Sequence, residues 1–513
     1  MKFKRFVICL FFIASYGFAE ENNIYYIKNI QCDIDGSTKE FVVLDAAQIR
    51  ISDEIQGESA LFDYIQDRTR LLNNYRIFES ASLEYKEAEK DNDGRIPLDI
   101  TIRVKDTRNL IIFPEPKYSS SSGFEPSIKM RHYNFLGRNT VLRTEFGYGR
   151  EEDNEASYSK DNLNFELNVD IPFIAMGYKW NIKFENNFKY FFNEAAEYKN
   201  TTGISMDIPI RQTILTFGYN HGTTINEEYY LYEKINYNKN VKDIWYMTSS
   251  IFGAWKMPAG IKTKILGELV YTPSITGSIN YSDPEIELEE HKGVEIIFSQ
   301  RLGFNHIDWI GNFRKGGAVY AENTNKYNIY FNEWLNDIAL TAIGHFIPAN
   351  FLGISSRAAY KHWFDKNGIL EDRTRWKAAE YLRGINDNAI TPQKMLILNT
   401  DIDFLLFTFM TSKIFNNEKL KLLDFDFHLG AFFDFAFIDG IQVTKRREKQ
   451  NDITFSFDDI FITGGIEAKI FPLSFRSIFL RFSIGWNIRK AAEDGALPSG
   501  NNREIYIGIG NYY

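Results

Sequence analysis

Arg383 and Asp434 are the residues whose types and surroundings promise specific chemistry. Arg383 stands in Leu382-Arg383-Gly384-Ile385, at the tip of a polar segment, and Asp434 interrupts the aromatic run Phe432-Phe433-Asp434-Phe435. A planar guanidinium can grip a carboxylate with two parallel charge-assisted hydrogen bonds. Gly384 lets the tip bend with a positive φ and lets its backbone approach a wall closely. Successive side chains of a strand face opposite sides, so Asp434 faces a lumen if Phe433 and Phe435 face lipid. Glu467, in Gly464-Gly465-Ile466-Glu467-Ala468, is a second candidate lumen acid near Arg383. The alternative is that Arg383 is one of many solvated charges. An exposed pair is worth about 0–1 kcal/mol, whereas breaking one side of a partly desolvated pair costs about 3–5 kcal/mol.

Catalytic patterns are missing from the sequence. It has no Gly-x-Ser-x-Gly elbow, no P-loop and no dinucleotide fingerprint. Its seven histidines are scattered, and His428 alternates with Asp426 and Asp424 as a polar stripe along one strand. The expectation is a protein that is not an enzyme and needs no cofactor or metal.

The elements that would position Arg383 and Asp434 alternate with period two. Leu163, Phe165, Leu167, Val169 and Ile171 interleave with Asn164, Glu166, Asn168 and Asp170; Tyr178, Trp180, Ile182 and Phe184 interleave with Lys179, Asn181, Lys183 and Glu185. A soluble sandwich would alternate in the same way. Here the polar face carries charges on strand after strand, and the apolar face is rich in Phe, Tyr and Trp. Aromatics make up 16% of the chain, with 44 Phe and 29 Tyr, which suits a lipid-facing band with aromatic girdles. In a bilayer such strands must close so that every backbone group is paired. About seventeen candidate strands lie between Gly123 and the C-terminus. The stretches Arg150 to Lys160, Tyr281 to Lys292 and Lys445 to Asp452 read as long outer loops. Asn134-Phe135-Leu136-Gly137 reads as a turn. The last strand carries Ile505, Ile507 and Ile509 on one face and ends at Tyr513.

Residues 1–19 read as a secretory signal: Lys2, Lys4 and Arg5, then the apolar run Phe6 to Ser15, then Gly17-Phe18-Ala19. Cleavage there takes the net charge from −9 to −12 by removing those three cations, which argues against nucleic acid as a partner. Cys9 leaves with the signal, so Cys32 stands alone and no disulfide forms within the chain. Residues 22–106 read as a small β-α-α-β-β module. Its helix runs from Glu58 to Tyr75, and in its closing strand Leu98, Ile100, Ile102 and Val104 alternate with polar residues. Residues 107–122 read as a linker and 123–513 as the barrel.

These segments together resemble the BamA/TamA outer-membrane assembly superfamily, which includes the two-partner secretion transporters. The module resembles a POTRA domain, the polypeptide-transport-associated unit that precedes such barrels. Leu382-Arg383-Gly384-Ile385 is similar to the family's Val-Arg-Gly-aromatic motif in its sixth outer loop. Asn134 to Gly137 is similar to its Asn-Phe-Leu-Gly turn after the first barrel strand. Phe432 to Ala436 is similar to its Phe-x-Asp-x-Gly strand, with Ala436 in the glycine place. Ile385 also departs from the pattern, which has an aromatic there, and one module stands where the known assembly factors carry several. The resemblance implies a sixteen-stranded barrel in the bacterial outer membrane with the module in the periplasm, and a loop folded back into the lumen through Arg383. It also implies a seam between first and last strands, here Gly123–Tyr133 and Glu504–Tyr513, that templates unfolded outer-membrane client polypeptides. A periplasmic partner could add at the module's strand edge. The readings carried forward are assembly of outer-membrane barrels, dedicated translocation of one polypeptide, and a passive channel or surface antigen.

Overall fold

The computed structural model describes residues 23–119, 123–152, 159–192, 195–226, 244–282, 293–330, 332–364, 381–385, 390–442, 460–475, 479–498 and 502–509. The signal segment, the core of each expected outer loop and the terminal Tyr513 lie outside the described residues. The chain divides into two units between Thr107 and Arg108.

The first unit contains β1 (Ile24–Asp35), α1 (Glu40–Ala47), β2 (Glu54–Gln56), α2 (Glu58–Asn74), β3 (Phe78–Glu87) and β4 (Ile96–Asp106). Its sheet runs β2-β1-β4-β3, with β1 and β4 parallel. Alternation along β4 buries Leu98, Ile100, Ile102 and Val104, and α1 and α2 cover that face with Val43, Ala46, Leu61 and Leu72. Asp106 fastens the start of α1 by accepting the Ser37 N–H at 2.8 Å and the Thr38 hydroxyl at 2.6 Å. The sequence gives no sign of β2, which at three residues is too short to show a period. Cys32 is half-buried on β1, and burial pushes its thiol up to about 11.

The second unit is an antiparallel barrel of eighteen described strands. The first nine are β5 (Leu110–Ser119), β6 (Gly123–His132), β7 (Leu142–Glu152), β8 (Ser159–Ala175), β9 (Tyr178–Phe191), β10 (Glu197–Ile210), β11 (Thr213–Ile225), β12 (Trp245–Thr263) and β13 (Gly267–Ser282). The second nine are β14 (Gly293–Ile310), β15 (Phe313–Asn328), β16 (Glu333–Ala349), β17 (Leu352–Trp363), β18 (Ile390–Phe409), β19 (Phe425–Gln442), β20 (Ile460–Pro472), β21 (Leu480–Asn487) and β22 (Arg503–Ile509). Each strand pairs with its sequence neighbours, and β22 meets β5.

Sixteen strands were expected, and eighteen stand among the described residues. Each of the seventeen candidate segments falls on a barrel strand, although the one expected from Ile261 starts at Gly267. The eighteenth is β5, the stretch expected to be linker. Pro114 and Pro116 hide it, because proline in a run normally argues against a strand; an edge tolerates it. The barrel therefore begins at Leu110, not Gly123, and the seam joins β5, not β6, to β22.

Alternation along the wall sorts the two faces. Leu396, Leu398, Ile402 and Phe404 of β18 are exposed, while Met395, Ile397 and Asn399 between them are fully buried. Val294, Ile296, Phe298 and Leu302 of β14 and Phe217 and Tyr219 of β11 extend the exposed apolar surface round the barrel. A water-soluble monomer rarely leaves so much contiguous apolar surface uncovered, and a barrel of the outer-membrane type sets it against lipid. Among the described residues no helix is long and apolar enough to cross a membrane.

The connections alternate between ends. One end holds short turns such as Met176-Gly177 and Gly311-Asn312; the other holds the connections that follow β5, β7, β9, β11, β13, β15, β17, β19 and β21, the expected outer loops among them. The longest connection at the short-turn end is 410–424, a helical turn, α3 (Thr411–Ile414), and a 3₁₀ segment. It is pinned by Asp424, which accepts the Thr411 hydroxyl at 2.8 Å and the Ser412 N–H at 2.9 Å.

Candidate functional site

The Arg383 segment belongs to the connection between β17 and β18. It is the seventh connection at the loop end rather than the sixth, because two strands beyond the expected sixteen precede it. Five strands, β18 to β22, follow it. Its tip, residues 381–385, lies against the inner faces of β18 to β22.

Arg383 is fully buried there. Its Nε donates to Asp434 Oδ2 at 2.9 Å and its Nη2 to Asp434 Oδ1 at 2.6 Å, a fork-to-fork pair. Its backbone N–H donates to Asp434 as well, at 3.1 Å, and its Nη1 donates to Asp401. The register explains why one guanidinium reaches both acids. Asp434 stands opposite Asn399, two residues from Asp401 on the same face. Such diagonal neighbours lie about 7–8 Å apart, a gap that a guanidinium spans. The cation also lies 4.0 Å from the centroid of the Phe432 ring. Asp434 is wholly enclosed, so its charge is answered by Arg383 rather than by water.

The backbone beside the arginine needs Gly384. Its φ is +80°, and a Cβ there would stand 2.8 Å from the Trp486 nitrogen. Gly485 on β21 provides the matching surface: a Cβ on it would come within 3.1 Å of the Gly384 Cα. The Gly384 N–H then donates to Glu504 on β22 at 2.8 Å. Leu382 and Ile385 pack into a cluster with Met395, Ile397, Ala436 and Ile438, so Ile385 is buried although the resembling motif has an aromatic there. Ala436 lines this cluster from the place where that motif has glycine. Asn399 donates to the Tyr381 carbonyl at 3.1 Å and is itself held by Arg357.

Glu467 takes a neighbouring place. It accepts from Arg481 and from Lys469 at 2.8 Å, and it lines with Arg383, Asp401 and Asp403 a cavity of about 50 Å³. His428 shares Asp403 with Lys469, at 3.2 and 3.5 Å. The far side of this cluster comes from an unexpected quarter. The short β14–β15 turn folds inward, so that Asn312 donates to Asp426 on β19 at 2.7 Å. Phe313 lies 4.9 Å from the His428 ring.

The other expected positions lie apart. Asn134 is buried in the β6–β7 turn, after the second barrel strand rather than the first, and its side chain accepts the Asn139 N–H at 2.8 Å. Phe135 to Gly137 form a 3₁₀ turn, with Leu136 held at φ +56°. Ile505, Ile507 and Ile509 stand opposite Ile484, Phe482 and Leu480 of β21. Between β22 and β5 only Tyr506↔Ser119 and Ile507↔Tyr118 pair among the described residues.

No protein-family model matches the chain, and no curated protein matches its sequence. Solved structures do match in shape. CdiB from Escherichia coli aligns with a TM-score of 0.51 at 10% identity, over 94% of this chain and 76% of CdiB. The chain shares its fold with CdiB. CdiB from Acinetobacter baumannii aligns at 0.48 and 10% identity, over 95% and 74% of the two chains. BamA from Haemophilus ducreyi, lacking POTRA domains 1–3, aligns at 0.39 and 14% identity, over 95% and 84%. The fold shared with CdiB from Escherichia coli is a POTRA-like α+β unit followed by a large antiparallel barrel, and in this barrel the Arg383 tip and the short β5–β22 ladder share one region of wall.

Asp401, Asn399, Arg357 and Glu504 are site residues that the sequence does not name as partners of the tip, although the alternating strand Asn399 to Phe404 stands out just after it. Alternation places the first two on the inner face, but nothing in a single chain names them as partners of the tip. Glu504 begins the strand read only for its isoleucines.

Proposed function

We propose that this protein inserts β-barrel polypeptides into the outer membrane, receiving client strands at the seam between β5 and β22. The observation that carries this reading is the ladder at that seam, two pairs among the described residues, set beside ladders that run the full length of most neighbouring strands. An unpaired strand edge is a template: main-chain hydrogen bonds to an incoming strand give affinity with little sequence demand. The wall is apolar outside, so a strand added there passes directly into lipid. Strand pairing and burial of the client's apolar face supply the free energy.

Arg383 is the fixed point of this arrangement. Pinning a long loop costs roughly 1–2 kcal/mol per ordered residue, and the fork to Asp434 together with the bond to Asp401 offsets part of it. Through Gly384 and Glu504 the same tip holds the strand that forms one side of the seam. Loop and seam are thus mechanically joined, and in this reading the tip steadies β22 while its free edge pairs with a client.

A second reading, dedicated translocation of one polypeptide through the lumen, draws on the match to CdiB, since the resembling superfamily includes two-partner secretion transporters. The inner wall near Arg383 is occupied by the loop tip and by the Asn312–Phe313 turn, which favours the seam over the lumen.

The test is a locked seam. Cysteines at Tyr118 and Ile507, a register pair, are placed in a Cys32→Ser chain and oxidised in membranes. Opposed residues of adjacent strands lie close enough for a disulfide. Insertion of a reporter barrel into proteoliposomes is expected to stop on oxidation and return on reduction. Unchanged insertion by the oxidised protein would exclude the seam.

A further inference from the structure

The β5–β6 ladder is continuous and in register from Leu110↔His132 to Ser119↔Gly123. In an antiparallel pair, residues of one parity exchange hydrogen bonds with one neighbouring strand, and residues of the other parity face the strand on the opposite side. β5 carries Pro114 and Pro116, and Pro126 of β6 stands directly opposite Pro116. Proline has no N–H to give. If the even-numbered residues of β5 bonded β6, the ladder would lose its donors at 114, 116 and 126 and break in the middle. It runs unbroken, so Ile111, Phe113, Glu115, Lys117 and Ser119 bond β6. The even-numbered positions, both prolines among them, therefore face the seam.

The seam edge of β5 thus lacks two successive donors. Among the described residues its pairing with β22 occurs where the prolines end, at Tyr118↔Ile507 and Ser119↔Tyr506. One step further toward the short-turn end, the register would set Ile509 against Pro116, and a hydrogen-bonded pair there would lack the donor from β5 and keep at most one of its two bonds, from the Ile509 N–H to the Pro116 carbonyl. β22 differs. Arg503 to Ile509 contains no proline, and the N–H groups that share the parity of Ile507, those of Ile505 and Ile509, are aimed at the seam. Proline on an edge strand blunts that edge against strand addition.

We infer that Pro114 and Pro116 keep the seam from zipping shut, and that they make β22, not β5, the edge on which an extended, strand-forming polypeptide pairs. The identity of that polypeptide as an unfolded barrel client rests on the proposed function; the effect of the prolines on the seam does not.

Two measurements on the full chain in lipid nanodiscs test this. The first is amide hydrogen exchange along β22. In Pro114→Val/Pro116→Val the restored donors are expected to extend the ladder and slow exchange at Ile509. In Tyr118→Pro, which removes the donor that is present, Ile507 is expected to exchange faster. Ile112→Val, which adds no donor, is expected to leave both amides as they are. Identical exchange in the wild type and both proline variants would overturn the role given to the prolines. The second is capture of an arrested barrel precursor by a photo-crosslinking residue. Capture from position 505 or 509 and not from Ile112 supports the edge assignment, and capture from Ile112 instead overturns it. Capture from neither strand, with the exchange differences intact, would overturn the edge assignment and the insertion reading together, while the prolines' effect on the seam would stand.

Discussion

Asp434 is a carboxylate with no access to solvent, and its two oxygens both receive hydrogen bonds from Arg383. Removing the arginine would strand a buried charge, at a cost of about 3–5 kcal/mol. Arg383→Ala is therefore expected to lower the temperature at which the folded barrel band is lost in heated detergent gels, and Asp434→Ala to do likewise. Arg383→Lys should recover little, because an ammonium cannot reproduce the fork to Asp434 while also reaching Asp401. Lys315→Ala, at an exposed strand position, is expected to leave the transition where it is. Gly384→Ala tests the backbone separately. Its φ of +80° and the closeness of Trp486 should cost about 1–2 kcal/mol or more, read as faster protease cleavage of the β17–β18 loop. The sequence shows why an arginine beside a glycine is suited to a buried tip, and alternation orients Asp434. It does not show that Asp401 completes the arginine's coordination or that Gly384 addresses Glu504. Those contacts depend on the stagger between strands far apart in the chain, and a period of two carries no information about stagger.

At the scale of elements, what was legible followed the strength of the period. Strands β8 and β9 alternate cleanly and lie where the pattern puts them, whereas β12 and β13 differ in their boundary, since Pro258 to Lys262 includes a register shift that interrupts the alternation. β5 was illegible for a chemical reason: prolines that would be faults in a central strand are tolerated at a seam. The inward β14–β15 turn was illegible as well, because Gly311-Asn312 reads as an ordinary hairpin turn. Its placement makes a prediction of its own. Asn312 reaches Asp426, and Phe313 rests on His428, so the turn covers the polar cluster from the short-turn end. Asn312→Ala/Phe313→Ala is expected to raise single-channel conductance in planar bilayers while the folded band keeps its gel mobility. Conductance equal to that of the wild type would show that the turn does not obstruct the lumen.

At the scale of the whole molecule, the fold and the function part company. An apolar outer wall, a pinned loop and a short seam ladder are compatible with insertion of many barrels or secretion of one polypeptide, and fold alone does not choose between such activities. The readings differ in what a cell loses without the protein. If the seam serves as a general template, clients are recognised by backbone hydrogen bonding, which every β-strand offers. Conditional depletion followed by quantitative outer-membrane proteomics should then show an early fall across many unrelated barrels, before growth slows. A translocator that reads one partner would leave those barrels in place and remove a single secreted protein from the medium. A passive channel would change neither. The insertion reading predicts the broad fall, and it further predicts that a chain carrying the Tyr118–Ile507 lock fails to restore those barrels while it remains oxidised. Restoration by the locked chain would mean that whatever work the protein does bypasses the seam, and the CdiB-like lumen would become the route to examine.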